Sequence, residues 1–272
     1  MSWPGRSAGQ TAGAPAGAHA AQVGAGIAEH KQRLDELLVA RGLVADLAAA
    51  RAEIMANNII VDDRACDKPG TPVAADAVIR RRHEPEPYVS RGGRKLAGAL
   101  AAAGMEVHGW RVLDAGASTG GFTDCLLQHG AAQVVAVDVG RGLLAHTLRI
   151  DPRVTVVEEC NVRGLAPGDL GELFDLVVAD LSFISLRTVL PALAGQTCAG
   201  GELLLLVKPQ FEAEKGTVGS GGIVRDEAVR QQAIAAVAEA AQAGGLTVAG
   251  VHASPVTGTK GNQEYFIRLS KH

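Results

Sequence analysis

From Arg111 to Leu269 short apolar runs recur, separated by stretches with helical spacing, and this alternation limits the fold more than any other feature of the chain. Strands are read at 111–115, 134–139, 154–158, 174–180, 202–207, 246–252 and 264–269, with helical stretches between most of them, notably 225–243. Apolar runs of strand length bounded by Gly, Pro or Asp suit strands buried on both faces. Seven of them alternating with helices predict an α/β fold, a mostly parallel sheet wound on both faces. The last two runs are joined by a short Gly/Pro-containing connection, Ser254 to Asn262. A right-handed crossover helix does not fit there, so the final strand is expected to run antiparallel.

The first strand leads into Asp114-Ala115-Gly116-Ala117-Ser118-Thr119-Gly120-Gly121-Phe122, and Phe122 to Gln128 then reads as a helix. Small residues in a strand-to-helix turn let a ligand approach the backbone, and the helix N-terminus leaves N–H groups free to meet it. An ordinary turn without a ligand is the alternative. The second strand, Val134 to Val137, ends at Asp138, 22 positions after Gly116. A carboxylate there suits a ribose diol. The spacing alone fits a nicotinamide dinucleotide or S-adenosylmethionine equally. The turn reads D-x-G-x-x-x-G-G and not G-x-G-x-x-G, so S-adenosylmethionine is favoured. Asp114, Gly116, Ser118, Thr119, Gly120, Gly121, Phe122, Asp138, Asn161 and Asp180 are the candidate cofactor residues.

Bulk composition sets outer limits. A chain of 272 residues, 47% hydrophobic, allows one large domain and something small. A net charge of −3 does not announce nucleic acid. Cys66, Cys125, Cys160 and Cys198 form no C-x-x-C pair, which fits free thiols in a reducing, cytoplasmic compartment and offers no metal site. No apolar run approaches the ~20 residues of a membrane helix, and no signal-peptide core opens the chain.

Residues 1–30 hold nine Ala and six Gly without apolar periodicity and read as a disordered tail. Order is expected from Lys31. Leu34, Leu37 and Leu38 follow helical spacing up to Gly42, and Leu47, Ala50 and Ile54 form a second helical face. Asn57-Asn58 and Asp62-Asp63 are turns flanking a strand at Ile59-Ile60-Val61, and Ala77-Val78-Ile79 reads as a last strand before Arg80-Arg81-Arg82. Lys31 to Arg82 carries nine Lys/Arg against eight Asp/Glu, so placement rather than net charge is the signal. Lys31, Arg33, Arg41 and Arg51 fall away from the leucine stripe, and arginine forks suit phosphates. A solvated helix face is the alternative. The run Arg33-Leu34-Asp35-x-Leu37-Leu38, with Arg41-Gly42-Leu43, Ala49-x-Arg51-Ala52-x-Ile54 and Ile59-Ile60-Val61-Asp62, resembles the S4 domain, a small α+β RNA-binding module. Asp63 and Asn57 stand where that family favours glycine, and both residue types tolerate turn dihedrals. The resemblance implies RNA contacts from Lys31, Arg33, Arg41, Arg51, Arg80, Arg81 and Arg82 in a domain spanning 31–83. Residues 84–91, opening with Glu84-Pro85-Glu86-Pro87, read as a stiff linker, with a second domain over 92–272.

Ligands in wound sheets bind beyond the C-terminal strand ends. The fourth strand ends at Asp180 and the fifth at Lys208, an odd residue to place at the tip of Leu203 to Val207; an N-cap and a lysine reaching water are the plain alternatives. Lys95, Asp180, Lys208 and Glu264 resemble the Lys-Asp-Lys-Glu catalytic tetrad of the RrmJ/FtsJ 2′-O-ribose methyltransferases. Lys31 to Leu269 further resembles the TlyA family, which joins an S4 domain to a Rossmann-like seven-stranded methyltransferase sheet. Ser90-Arg91-Gly92-x-x-Lys95-Leu96, Ala179-Asp180-Leu181-Ser182-Phe183-Ile184-Ser185, Val207-Lys208-Pro209-Gln210-Phe211-Glu212 and Gly261-Asn262-x-Glu264-Tyr265-Phe266 carry the match. It implies S-adenosylmethionine-dependent 2′-O-methylation of cytidine in 16S and/or 23S rRNA, with rRNA or ribosomal subunits as partner and neither membrane nor metal. In that reading Lys208 takes or polarises the ribose hydroxyl proton, Asp180 orients Lys208, and Lys95 and Glu264 hold the ribose. Two alternatives stay open: a membrane-active haemolysin, as family members are also labelled, and a methyltransferase of another substrate tethered by an RNA-binding module.

Overall fold

The computed structural model describes residues 31–83, 86–214, 216–258 and 260–272; the expected tail at 1–30 lies outside them. The chain divides into two compact units, Met1–Glu84 and Pro85–His272.

The first unit contains β1 (Lys31–Arg33), α1 (Leu34–Ala40), α2 (Leu47–Met55), β2 (Ile59–Val61), β3 (Arg64–Cys66), β4 (Pro72–Ala74) and β5 (Ile79–Arg81). Leu34, Leu37 and Leu38 on α1 pack with Ala50 and Ile54 on α2 over Ile59, Val61 and Val73, the core that the helical spacing marks out. Asp46 starts α2 by accepting from the Ala49 amide at 2.8 Å, an N-cap. Gly42, at φ +66°, ends the first helical segment. Three strands escape the sequence reading, β1, β3 and β4. β1 pairs antiparallel with β4, Lys31 opposite Ala74, and β3 with β2. All three are three residues long, too short to show an alternating pattern. The expected strand at Ala77-Val78-Ile79 is displaced, since pairing runs over Ile79–Arg81 against β2. The Asp62-Asp63 turn is a two-residue hairpin between Val61 and Arg64, with φ of +46° and +65°.

The second unit contains α3 (Arg91–Ala103), β6 (Arg111–Ala115), α4 (Gly121–Gln128), β7 (Gln133–Val137), α5 (His146–Arg149), β8 (Val154–Val157), β9 (Phe174–Ala179), α6 (Leu186–Gln196), β10 (Thr197–Val207), α7 (Pro209–Glu212), α8 (Glu227–Ala243), β11 (Leu246–Ala253) and β12 (Tyr265–Lys271). The seven strands form one sheet in the order β11-β12-β10-β9-β6-β7-β8. β12 is antiparallel to both neighbours, while β8, β7, β6, β9 and β10 run parallel, as the connection lengths require. Alternate residues divide between two cores. Leu113, Val135, Val177, Leu203 and Leu205 face α6 and α8; Val112, Val134, Leu176, Val178, Leu204 and Leu206 face α3 and α4. Observed strands begin and end within two residues of those expected, except that β10 begins at Thr197.

The linker is shorter than expected. Glu84 and Pro85 lie outside the described residues, but Glu86 pairs with Arg94 at 2.9 Å, the Val89 amide donates to Asp124 at 2.8 Å, and Gln128 donates to the Pro87 carbonyl at 2.9 Å. Residues 86–91 therefore belong to the second unit. Proline removes donors, yet leaves carbonyls that a neighbouring side chain can use.

The hairpin generates a test. A two-residue turn with both φ values positive favours glycine at its second position. Asp63→Gly should raise stability by roughly 0.5–1 kcal/mol, discounted only slightly for the exposed Arg80 pairing. Urea unfolding followed through amide exchange of residues 59–66 reads this directly; an unchanged or lower opening free energy would count against the strain assigned to Asp63.

Candidate active site

The sheet order reverses at β6 and β9, where chain connections leave in opposite directions, and a crevice opens beyond the strand tips. Two cavities of about 380 Å³ each meet there, sharing Gly116, Ser118, Asp180 and Ser182 as walls.

The backbone explains why this crevice is where it is. Gly116 has φ +85°, and a Cβ on it would lie 2.9 Å from the Asp180 carbonyl, so the β6 and β9 tips can run side by side only with glycine there. Gly120, at φ +97°, is the second such position: a side chain would strike Leu148 and Leu144 at 2.3 and 2.8 Å. A Cβ on Gly121 would approach the Gly93 nitrogen to 2.9 Å and the Gly92 Cα to 3.1 Å, which lets the first turns of α3 and α4 touch. The close approach signalled by these small residues is thus largely protein against protein.

Asp138 is fixed from two sides. Its Oδ2 accepts from the Ser118 amide at 2.8 Å and its Oδ1 from the Gly140 amide at 2.7 Å. It tethers the glycine turn to the β7 tip and faces the second cavity with Asn161, Val139, Leu143, Val162 and Leu181. Gly116, Ser118, Thr119, Gly121 and Phe122 line the first cavity. Asp114 and Gly120 line neither. Asp114 is fully buried beneath the turn, where its Oδ2 accepts from the Thr123 hydroxyl at 2.7 Å and its Oδ1 has no partner. Burial is the main cause that pushes its carboxyl up to about 7.

Lys95, Asp180, Lys208 and Glu264 converge on the first cavity. Lys208 Nζ lies 2.6 Å from Asp180 Oδ1, Lys95 Nζ lies 2.6 Å from Glu264 Oε2, and Lys95 Nζ lies 4.0 Å from Asp180 Oδ2. Register brings them together. Leu205 sits beside Ala179 in the parallel pair, so Lys208 and Asp180 leave adjacent tips. Val207 opposes Tyr265 in the antiparallel pair, so the next positions outward, Lys208 and Glu264, face each other across 56 residues of sequence. α3 supplies Lys95 from its first turns. A Cβ on Gly98 would reach Pro255 at 2.5 Å, so α3 lies hard against the loop that leads to Glu264. The quartet holds two cations and two anions, all but Asp180 nearly buried, and this alternation is what makes burying them tolerable.

Sequence reasoning missed Ser182, whose Oγ accepts from Lys208 at 2.8 Å. It also gave no role to Phe183, 91% exposed at φ +65°, whose ring lies 5.3 Å from that of Phe211. A bulky residue at positive φ carries strain and marks a place worth attention, but φ has no sequence signature outside Gly, Asn and Asp.

The candidate RNA contacts in the first unit are more constrained than expected. Arg33 and Arg51 converge on the buried Asp35 carboxylate at 2.8 and 3.3 Å. Hydrogen bonding by Arg33 holds that carboxyl down to about 2. Arg41 donates to the carbonyls of Ala77 and Ala75, Arg81 to that of Leu43, and Arg80 pairs with Asp63. Lys31 and Arg82 are exposed. No group of three or more His, Cys, Asp and Glu among the described residues could hold a metal ion, and none of their helices is long and apolar enough to cross a membrane.

A model of the FtsJ-like methyltransferase family matches residues 88–271, a span containing the entire quartet. The 16S/23S rRNA (cytidine-2′-O)-methyltransferase TlyA of Mycobacterium tuberculosis (strain CDC 1551 / Oshkosh) is 50% identical over 240 residues, covering 88% of this chain and 90% of that protein. The chain belongs to the TlyA family of FtsJ-like methyltransferases. The family also includes the 23S rRNA (cytidine-2′-O)-methyltransferase TlyA of Campylobacter jejuni subsp. jejuni serotype O:23/36 (strain 81-176), which is 34% identical, covering 69% of this chain and 72% of that one. A solved structure from Streptococcus thermophilus, provisionally named a hemolysin, is 40% identical, covers 90% of each chain and superposes with a TM-score of 0.69. The haemolysin label thus travels with the TlyA fold.

Asp114 yields a pH test. Its carboxyl is protonated more readily in the folded than in the unfolded chain, whose ordinary value is 3.8. Folding is therefore favoured below that value and loses stability as pH rises toward about 7, by up to about 1.4 kcal/mol per pH unit. Asp114→Asn, which keeps an acceptor for Thr123, should flatten this loss in unfolding midpoints recorded from pH 5 to 8. Parallel curves for both proteins would refute the assignment.

Proposed function

We propose that this chain transfers a methyl group from S-adenosylmethionine to the 2′-hydroxyl of a cytidine in 16S and/or 23S rRNA. The observation that carries the reading is the Lys95–Asp180–Lys208–Glu264 quartet beside a cavity suited to a nucleoside. The TlyA relatives named for rRNA cytidine 2′-O-methylation support it, one for both rRNAs and one for 23S alone.

The residues present fit the cofactor. Asp138 offers a carboxylate already oriented by two backbone amides, with lone pairs left for a diol. Val139, Leu143, Val162 and Leu181 offer apolar surface for a base, and Asn161 a polar edge. Gly116, Ser118 and Thr119 border the passage toward the quartet. Bound there, S-adenosylmethionine supplies an electrophilic methyl group.

The chain's own task is to hold and activate the ribose oxygen. Lys208 has two of its three directions taken, by Asp180 and Ser182. The remaining one is assigned to the 2′-hydroxyl. Asp180, 2.6 Å away, orients Lys208, whose amine form accepts the hydroxyl proton as the ribose oxygen bonds to the methyl carbon and the carbon–sulfur bond breaks. Lys95, held by Glu264 at 2.6 Å and 4.0 Å from Asp180, keeps the Asp180 carboxylate ionised and in place. Fixing the oxygen in line accounts for much of the remaining acceleration.

The first unit is proposed as an S4-like RNA-binding module. The arginines that Asp35 gathers stay about half exposed, with N–H groups left for phosphates, and Lys31 and Arg82 are exposed as well. Carboxylate pairing makes Arg33 and Arg51 poor targets for charge reversal, because a glutamate there would face Asp35.

Methyl transfer from labelled cofactor to purified small and large subunits and to free rRNA, followed by nucleoside digestion, tests the reading; label on a base, or on no rRNA nucleoside, would sink it. In the same assay Lys208→Ala should lower turnover by roughly 100-fold or more while the cofactor dissociation constant stays within a few-fold. Asp138→Ala should chiefly weaken the cofactor; unchanged affinity would remove the diol contact. A chain beginning at Pro85 should bind cofactor normally and lose most subunit binding along with its steep salt dependence. Full methylation by that shortened chain would dismiss the module as the recruiting element.

A further inference from the structure

Glu212 is a buried carboxylate outside the quartet. It is 4% exposed, yet it lies at the end of α7, one residue after Phe211 and four after Lys208. Its Oε2 accepts from the Ser185 hydroxyl at 2.5 Å and its Oε1 from the Leu186 amide at 2.6 Å, so it caps the N-terminus of α6 from another segment. Arg187 approaches it at 3.4 Å and donates to its carbonyl at 3.2 Å.

The two segments joined by this carboxylate are the two that meet at the reacting centre. The one after β9 carries Asp180, Ser182 and Phe183, and the one after β10 carries Lys208 and Phe211. Three contacts link them in front of Glu212: Asp180 to Lys208 at 2.6 Å, Ser182 to Lys208 at 2.8 Å, and the Phe183–Phe211 ring pair at 5.3 Å. Phe183 holds φ +65° in the middle of the first segment. A strained residue of that kind persists only where its surroundings over-determine it. The segment is anchored on one side by the β9 ladder, through Asp180 donating to Ala115 at 3.1 Å, and on the other side by Glu212.

We infer that Glu212 is a positioning residue, a clamp that holds the 180–185 segment against the 208–212 segment and so sets the Lys208–Ser182 contact and the pose of Phe183 for the nucleotide. The clamp acts on the substrate side of the crevice. Leu181 to Ile184 also border the second cavity, but Glu212 itself lines neither cavity and takes no part in the Ser118 and Gly140 contacts that fix Asp138. Burial raises the Glu212 carboxyl above the ordinary range, so a neutral amide is a fair replacement: glutamine can still accept from Leu186 and donate to Ser185.

The inference rests on the ribose methylation reading, and the test separates the two. In the full chain, Glu212→Ala should cut turnover on ribosomal subunits by roughly 10-fold or more, with cofactor affinity within about two-fold, while Glu212→Gln recovers most of the activity. The double variant Ser182→Ala/Glu212→Ala should be much less impaired than the product of the two single losses, since both act on one contact. Amide exchange should accelerate at 183–186 in Glu212→Ala and stay unchanged at 116–122. Turnover equal to wild type well below the melting temperature, multiplicative losses in the double variant, or cofactor affinity falling in step would each overturn the clamp and leave Glu212 a stability residue. Were the wild-type chain to methylate no rRNA, the methylation reading would fail on its own, and the exchange measurement would still decide whether Glu212 holds the segment.

Discussion

The antiparallel insertion of β12 between β10 and β11 is the constraint on which the active site depends. It sets Val207 opposite Tyr265 and thereby delivers Glu264 to the same strand-tip level as Lys208 and Asp180. An all-parallel sheet would bring only strand C-terminal ends to that level; an antiparallel neighbour adds the segment that precedes a strand. The Ser254–Asn262 connection is short because it has to cross only from β11 to the adjacent β12. The charges then obey a second constraint. Removing four ionised groups from water is costly unless cations and anions alternate, and the order Glu264, Lys95, Asp180, Lys208 alternates strictly. Each member is held by another member, so the site is ordered before any ligand arrives.

Much of this was legible in the sequence, and the reasons differ by residue. The sheet was readable because strands such as Leu203–Val207 are buried on both faces and so are apolar without interruption. The quartet was readable only through family resemblance, since nothing local in the chain relates Lys95 to Glu264. Ser182 and Glu212 stayed hidden inside quoted motifs because a serine or glutamate looks the same whether it caps, bonds a lysine or faces water. The three-residue strands β1, β3 and β4 stayed hidden because their period cannot be counted over so short a span.

The glycine turn teaches a different lesson. Its small residues promised a close approach, and the approach is there, but Gly116 yields to the Asp180 carbonyl, Gly120 to Leu144 and Leu148, and Gly121 to α3. Ligand space arises as a by-product of that packing. With Gly121 against Gly92 and Gly93, α3 sits low enough for Lys95 to reach Glu264. With Gly116 against Asp180, the β6 and β9 tips are near enough for the two cavities to share walls. Asp114 fits the same scheme: it stabilises the turn from beneath through Thr123 rather than lining the crevice.

Charge in the first unit follows the logic of the quartet at lower density. Asp35 is buried and needs cations, and Arg33 and Arg51 supply them while remaining about half exposed. A guanidinium has five donors, and a carboxylate occupies at most two in the fork geometry. The pairing therefore removes conformational freedom from the arginines without exhausting their capacity to meet phosphate. That capacity is what the proposed RNA-binding role asks of Arg33 and Arg51. Asp35 is the one buried acid among the eight of residues 31–82, so it orders Arg33 and Arg51 without presenting its own charge to a phosphate, while their remaining guanidinium edges stay open.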